Sequence, residues 1–508
     1  MPTARRLLDK EITYSSAKDN DANTLHQISD HGQQTHFLRR LEEKRDHIKD
    51  IVTHHLGLSS PSECHVAEAE NWLHGSFKVS IPVTICPDGG LHKRVLLQVP
   101  LPYRVGESVQ PGNCDEKIRC EAGTYAWIQE NSPDVPIPHL YGFALSTGQQ
   151  FTRLEHLPTP TQWYHLLHNQ ALSWLGHSVP SPYVRHQQKE GSTEIVLGTG
   201  YLIVEYIEES RGEMLSKTWE NGRHESRRRA NVFRDLSRIL LSLTRIALPK
   251  IGSFIIDDDG FLRLANRPLS IEIQQLECEN IPTDIPRDCT YSNVDLYIGD
   301  MLSAHDNRFR YQPNANNDAG DCASQLSALS AMRTISRSFF QRDLRNGPFF
   351  LSFTNLNQSN IFVDAEWHIT CLVDLEWVCS LPVEMIRPPH WLSNNAVDSL
   401  DATAYDTVRK VFMRALEIEE RAHPTAIRGK DGIIDLQLST TMERSWLTGT
   451  FWYTLALSSP SGLFGIFNDH IRPLFVTENT KEFHSIMPLL WRKGVGDTVD
   501  CEVSDKQE

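Results

Sequence analysis

Hydrophobic and polar residues follow two periods along this chain, and the points where the period changes divide it into segments. Residues 1 to about 34 are polar and show no periodicity, which predicts a loosely attached arm. From there Phe37, Leu38, Leu41, Ile48, Ile51, Val52 and Leu56 recur at helical spacing, with Thr35 placed to cap the start and Gly57 the end. His54 and His55 near its end read as dipole partners or surface residues. The period then falls to two, predicting strands at 77–83 and 95–99 joined by a turn at Pro87-Asp88-Gly89-Gly90. After Pro111-Gly112, the run Asn113 to Glu116 reads as an N-cap with its capping-box Glu. The helix it opens continues through Ala122, Tyr125, Ala126 and Ile128.

Residues 151–198 are irregular and rich in Pro, His and Gln, which predicts an insertion with a short helix near 163–175. An apolar strand, YLIVEY at 201–206, follows it. Ser226 is placed to cap a helix with the stripe Val232, Phe233, Leu236, Ile239, Leu240, Leu243 and Ile246, stopped by Pro249. Arg223, Arg227, Arg228 and Arg229 crowd its positive end and read as a solvated basic turn needing acidic partners. A hairpin spans 251–264 with its turn at Asp258-Asp259-Gly260. Residues 268–322 look mostly loop-like; helices are expected near 324–345, 405–419 and 442–457, and a polar tail at 493–508.

The stretch 351–376, LSFTNLNQSNIFVDAEWHITCLVDLE, carries the chemistry. It opens with polar residues unsuited to a strand interior and runs into Ile361-Phe362-Val363. It turns through Asp364 to Trp367 and returns through Ile369, Cys371, Leu372 and Val373. At about 3.3 Å per strand residue, Asn360 and Asp374 come side by side at the open end of this hairpin. The polar loop 354–359 arrives at the same place. An amide and a carboxylate beside an irregular loop suit a hard cation such as magnesium.

Phosphotransferases of the kinase type share this spacing, a loop HxDxxxxN followed by a hairpin and a second Asp. Asn360 and Asp374 fit its two metal positions, whereas Phe353 stands in place of the His and Asn355 in place of the catalytic Asp. An amide can hold a hydroxyl but cannot take its proton, and losing a general base costs on the order of 10² to 10⁴ in rate. Asparagine also populates turns for local reasons, which accounts for Asn355 and Asn357 better than for Asn360.

Length and charge narrow the class. The chain has 508 residues, 40% of them apolar, enough for two or three lobes. With 65 acidic and 50 basic residues the formal net charge is −15, which disfavours nucleic acid as a partner. Ten cysteines without a CxxC pair offer neither a zinc nor a disulfide framework. The N-terminal MPTARRLLDKE lacks the apolar run of a secretory signal, and no window approaches the roughly 20 apolar residues of a membrane span. A cytoplasmic protein without a membrane partner is expected.

FTNLNQSNIFVDAEWHITCLVDLEW resembles the fungal branch of the aminoglycoside phosphotransferase and choline kinase-like family, whose members carry TDLHQSNIFVD and a terminal IDxE or VDLEW. The likeness runs from about Trp72 to about Phe475 and is densest at 75–130, 202–269 and 351–389. It implies an α+β, protein kinase-like fold of two lobes, the smaller mostly antiparallel sheet with one key helix, the larger mainly helical. The corresponding divisions are an arm and helix at 1–60, a small lobe at 61–206, a large lobe at 207–492 and the tail. It also implies ATP and Mg²⁺ as cofactors, with Asn360 and Asp374 as metal ligands and Asn355 with Asn360 in the catalytic loop.

In such a small lobe Gly75 and Ser76 either replace a glycine-rich loop over the phosphates or form a plain hairpin turn. The strand position that holds a phosphate-binding Lys falls on Gln98, facing Glu121 on the next helix, with Lys117 or Arg104 available as a substitute cation. Glu121 is otherwise an ordinary helix carboxylate. Backbone groups from Glu205 to Ile207 would meet the adenine, and Glu376 would support the site or face the acceptor. Two functions are expected as alternatives: phosphoryl transfer to a hydroxylated small molecule, or a nucleotide-binding pseudoenzyme with a protein partner. Aminoglycosides, choline-like alcohols and sugars are all acceptors in related proteins, and kinship does not choose among them.

Overall fold

The computed structural model describes the chain apart from residues 1–3, 9, 19–26, 87–91, 187–196, 313–314, 395–396, 398–399, 425–426, 430–431, 477–480 and 492–508. The expected turn at 87–90 and the tail at 493–508 lie outside the described residues. The architecture is α+β, with one antiparallel sheet lobe followed by a mainly helical one.

The N-terminal arm is more ordered than its polarity predicts. Strands β1 (Ala4–Arg6) and β2 (Glu11–Thr13) pair antiparallel and lead into a short helix α1 (Tyr14–Lys18), with Leu7 and Ile12 buried. The helix expected from Thr35 is two helices, α2 (Asp30–Glu43) and α3 (Arg45–Leu56), parted at Lys44. Thr35 lies inside α2, its hydroxyl donating to the His31 carbonyl, so it caps nothing. Gly57 does end α3, at φ 65°, a backbone conformation that glycine enters freely. Ile48, Ile51 and Val52 pack onto the sheet, which joins this helix pair to the small lobe. His55 is also buried, between the Tyr201 and Thr152 hydroxyls, and is a core residue, not a surface one.

Eight strands form the sheet: β3 (Cys64–Val66), β4 (Leu73–His74), β5 (Lys78–Ile85), β6 (Lys93–Pro100), β7 (Leu140–Ala144), β8 (Gln150–Arg153), β9 (Tyr183–His186) and β10 (Tyr201–Glu205). Their order is β3-β5-β6-β10-β7-β8-β9, with β4 also on β5. Alternation along β5 decides what each face does. Val79, Ile81, Val83 and Ile85 turn to the core under α2 and α3, while Lys78 and Ser80 turn to the opposite face. The 151–198 segment is only partly an insertion, because β8 and β9 extend the sheet at its edge. Between them α5 (Thr159–Trp174) buries none of its side chains.

Helix α4 (Asn113–Asn131) crosses from this sheet to the helical lobe. Gly112, at φ 93°, is its N-cap, so the expected capping box at Asn113 and Glu116 does not form. Glu107 serves the free N–H groups instead, accepting from Gly112 at 2.6 Å and Cys114 at 2.7 Å. Glu116 is drawn into a buried network with Arg267, Asn266 and Arg287. At Gly123 the helix meets the Phe254 carbonyl so closely that a Cβ would lie 2.4 Å from its oxygen.

The helical lobe begins with β11 (Glu213–Met214), α6 (Leu215–Gly222) and α7 (Ser226–Leu243), the last shorter than the stop at Pro249 implied. Arg223, Arg227 and Arg228 pair with Glu220, Glu366 and Glu225, which supplies the acidic partners. The hairpin β12 (Ser253–Ile256) and β13 (Leu262–Asn266) turns at Gly260 as expected. Residues 268–322 are not mostly loop. They hold α8 (Ile271–Cys278) and α9 (Val294–Tyr311), the latter capped by the Asn293 side chain. Helix α10 (Ala319–Ile335) starts and stops earlier than 324–345, capped by Asp318.

Residues 349–353, expected to be polar loop at their end, form strand β14 (Phe349–Phe353) beside β17 (Val378–Pro382). Between them the predicted hairpin stands as β15 (Ile361–Val363) and β16 (Ile369–Leu372). Helices α11 (Ala402–Ala422), α12 (Leu438–Leu447) and α13 (Thr450–Leu457) complete the lobe; Gly449, at φ 80°, splits the helix expected at 442–457. Among the described residues no helix is long and apolar enough to cross a membrane.

Candidate active site

The two lobes face each other across a cleft of about 1150 Å³. From the sheet lobe it takes the turn at Gly75 and Ser76, then Lys78, Ser80 and Gln98, and from the connection Glu205, Tyr206 and Ile207. From the helical lobe it takes Asn355, Asn360, Asp374 and Glu376. Gly75, Ser76, Gln98, Glu205, Ile207, Asn355, Asn360, Asp374 and Glu376, all expected from the sequence, therefore line one space, and Glu121 lies directly behind it, bonded to Lys78.

The hairpin register sets the metal-type pair. Ile361 pairs with Leu372, and the Val373 N–H donates to the Asn360 carbonyl at 2.9 Å, which puts Asp374 next to Asn360. The Asn360 side-chain N–H donates to the Asn355 carbonyl at 2.9 Å. That bond fixes the amide's orientation and leaves its oxygen as the donor atom for a cation. Asp374 sits at φ 60°, ψ 62°, the left-handed region, where Asp is tolerated but strained. Backbone outliers of this kind cluster at functional sites.

The strand cation whose position was expected to fall on Gln98 is supplied by a different strand. Lys78 on β5 reaches Asp374 at 2.7 Å, Glu121 at 3.3 Å and Glu376 at 3.5 Å. Gln98 is a neighbour in this group, its Oε1 3.4 Å from the Lys78 Nζ, not the partner of Glu121. Lys117, one turn before Glu121 on α4, lies 3.9 Å from Glu121 and donates to Glu376. Glu376 is thus taken up by two lysines rather than turned to an acceptor.

Burial raises Glu121, against the pull of Lys78 and Lys117. Burial acts on Glu376 in the same sense, but the lysine charges and bonds outweigh it and its carboxyl lies below the ordinary value. For Lys78 burial favours loss of the proton, and Asp374, Glu121 and Glu376 together override it, so the amine is held firmly as an ammonium. One Glu121 oxygen has no hydrogen-bond partner.

The remaining positions have defined supports. The Gly75 N–H donates to the Lys78 carbonyl at 2.9 Å, closing the tight turn from β4 to β5, and Arg104 donates to the Ser76 carbonyl. Glu205 holds Arg211 at 2.9 Å and accepts from the His139 N–H at 3.2 Å, bracing the link between lobes. Elsewhere His139, Glu155 and His156 bring their ligand atoms within 4.8 Å of one another, but Arg153 takes the shared Glu155 oxygen at 3.1 Å.

Lys78 was visible in the sequence as the one charge inside FKVSIPVTI. No protein-family model and no curated protein matches the chain.

Proposed function

We propose that the chain transfers the γ-phosphoryl group of ATP, with Mg²⁺, to a hydroxyl of a small molecule in a two-lobed, protein kinase-like framework. One observation carries this reading: a buried lysine paired with a helix glutamate on one wall of an inter-lobe cleft, opposite an Asn and an Asp on a hairpin. That set of groups matches the parts phosphoryl transfer needs, which are positioning and charge neutralisation.

Asn360 and Asp374 would hold the magnesium ion, which would neutralise charge on the phosphates. Lys78 would contact those phosphates, oriented by Glu121. The turn at Gly75 and Ser76 would cover them, and the backbone from Glu205 to Ile207 would meet the adenine. Asn355 would place the acceptor hydroxyl. In the transfer the hydroxyl oxygen bonds to the γ-phosphorus as the bond to the ADP oxygen breaks. With an amide at Asn355, the hydroxyl proton goes to a phosphoryl oxygen or to water, which slows the reaction.

A second reading, a nucleotide-binding pseudoenzyme that acts as a regulatory module, is favoured by Asn355 and by the ammonium seated on Asp374 at 2.7 Å. Turnover separates the two. Asn355→Asp supplies the missing base and is expected to raise Mg²⁺-dependent ATP consumption by about 10²-fold or more, from the lower end of general-base effects upward. No rise supports the pseudoenzyme. Under either reading ATP with Mg²⁺ raises the melting temperature and Asp374→Ala abolishes that rise; a protein indifferent to both has no nucleotide role.

A further inference from the structure

A second cavity of about 340 Å³ opens beside the cleft, within the size range of small-molecule sites. Asn355 and Asn357 line both spaces. A hydroxyl held at Asn355 therefore has room for the rest of its molecule in this second cavity. Its walls are largely apolar, with Leu236, Leu240, Met301, Phe353 and Met385. Two charged side chains interrupt them, Arg387 and Glu272.

Arg387 donates to the Ser458 hydroxyl at 2.8 Å and, among the described residues, forms no ion pair. Burial pulls its pKa below the ordinary value, and the charge of Glu272, the largest opposing influence, offsets this without an ion pair. Arg387 is half-buried, and a guanidinium partly withdrawn from water without a bonded carboxylate is left poorly compensated. Its fork of N–H donors matches a carboxylate, which it can receive with two parallel bonds. Glu272 is 7% exposed and burial raises its carboxyl, with Ser270, its own N–H and Arg387 acting the other way. A carboxylate in the same cavity disfavours a doubly charged phosphate, and the guanidinium disfavours a polycationic amine.

We propose that this cavity binds the acceptor, and that it selects hydroxylated molecules with an apolar body and a single carboxylate received by Arg387. The assignment of the bound molecule as acceptor rests on the phosphotransferase reading above; the carboxylate preference rests on the cavity alone.

The test is calorimetric titration of the full chain with 4-(hydroxymethyl)benzoate and 3-(4-hydroxyphenyl)propionate, each against its methyl ester, and with tyramine, in the presence and absence of Mg²⁺ and a non-hydrolysable ATP analogue. The acids are expected to bind at least about tenfold more tightly than their esters, a difference of about 1.4 kcal/mol, and tyramine more weakly than either. Arg387→Met is expected to remove the difference between acid and ester, and Arg387→Lys to keep part of it. Esters that bind as well as acids, or no binding by any probe, overturn the proposal, and this comparison in the unsubstituted protein needs no variant to fold. Acid preference in a chain that ignores the ATP analogue leaves the carboxylate site standing and removes the phosphotransferase reading.

Discussion

Replacing Lys78 with methionine keeps the length of the side chain and removes its ammonium from the centre of the cleft wall. Three carboxylates, Glu121, Asp374 and Glu376, share two lysines there, so the group carries one negative charge in excess and the substitution doubles it. Glu121 is fully buried and keeps only Lys117, 3.9 Å away. Removing one partner from a buried ion pair costs about 3–5 kcal/mol. Asp374, with its side chain 34% exposed, adds little, because water screens it.

The pH dependence gives this reasoning its sharper check. Burial already lifts the Glu121 carboxyl above its unfolded value, and without Lys78 it is lifted further. A carboxyl whose folded pKa lies above its unfolded one contributes stability that is complete at low pH and lost as pH rises through the folded value. Lys78→Met should therefore be weakest at about pH 8 and recover part of its deficit at about pH 5, because acidification favours protonation of Glu121. Denaturant unfolding at both pH values, with Glu121→Gln added to the variant, measures the effect. The second substitution should restore most of the loss, since it removes the stranded charge. A deficit under about 1 kcal/mol at the higher pH, or one that does not shrink on acidification, contradicts the assignment of Lys78 as the buried counter-ion.

Two further expectations concern a group elsewhere in the helical lobe and the relation between the two ligands proposed for the cleft. Glu384 is buried and accepts from the Gln341 N–H at 3.0 Å; burial pushes its carboxyl up to about 6. Its contribution is present below the unfolded value and lost as pH rises through about 6. Glu384→Gln should accordingly flatten the stability profile between those values by about 2 kcal/mol, and a melting-temperature series that keeps the wild-type slope contradicts it. In the cleft, Lys78 occupies Asp374 at 2.7 Å, so a divalent ion bound as proposed would compete with the ammonium for that carboxylate. Phosphates drawing Lys78 towards themselves would free Asp374, and on the proposed function the two ligands should strengthen each other by the same factor in either order. Calorimetry of Mg²⁺ with and without an ATP analogue reads this coupling; independent binding is inconsistent with it.

What could be read from the sequence depended on how far apart in the chain the deciding residues lie. The hairpin at 361–372 was legible because its apolar triplet, its turn and its return strand fall within about a dozen positions, and its register alone sets Asn360 beside Asp374. Gly57 and Gly260 were legible for the same reason: each closes a local turn at positive φ. Helix α9 was missed although Val294, Ile298, Met301 and Leu302 keep helical spacing behind an Asn293 cap, because polar residues between them blurred the stripe. The capping box at Asn113 failed because Gly112 takes the N-cap position and the buried Arg267 engages Glu116.

Lys78 shows where a strand count goes wrong. The lysine that the family resemblance implies was sought on the strand at 95–99, taken as the third of the sheet lobe, where its position falls on Gln98. Two earlier strands, β3 and β4, span three and two residues, too short to display alternation at all. Counting them makes β5 the third strand, and its first residue is Lys78. Within β5 the parity was readable: Val79, Ile81 and Val83 claim one face for the core, which commits Lys78 and Ser80 to the other. Period-two alternation fixes the face of a side chain without reference to the rest of the fold. Its partner is fixed only by tertiary structure, and Lys78 finds Asp374 and Glu376 some three hundred positions later because α4 and the hairpin close on the same wall.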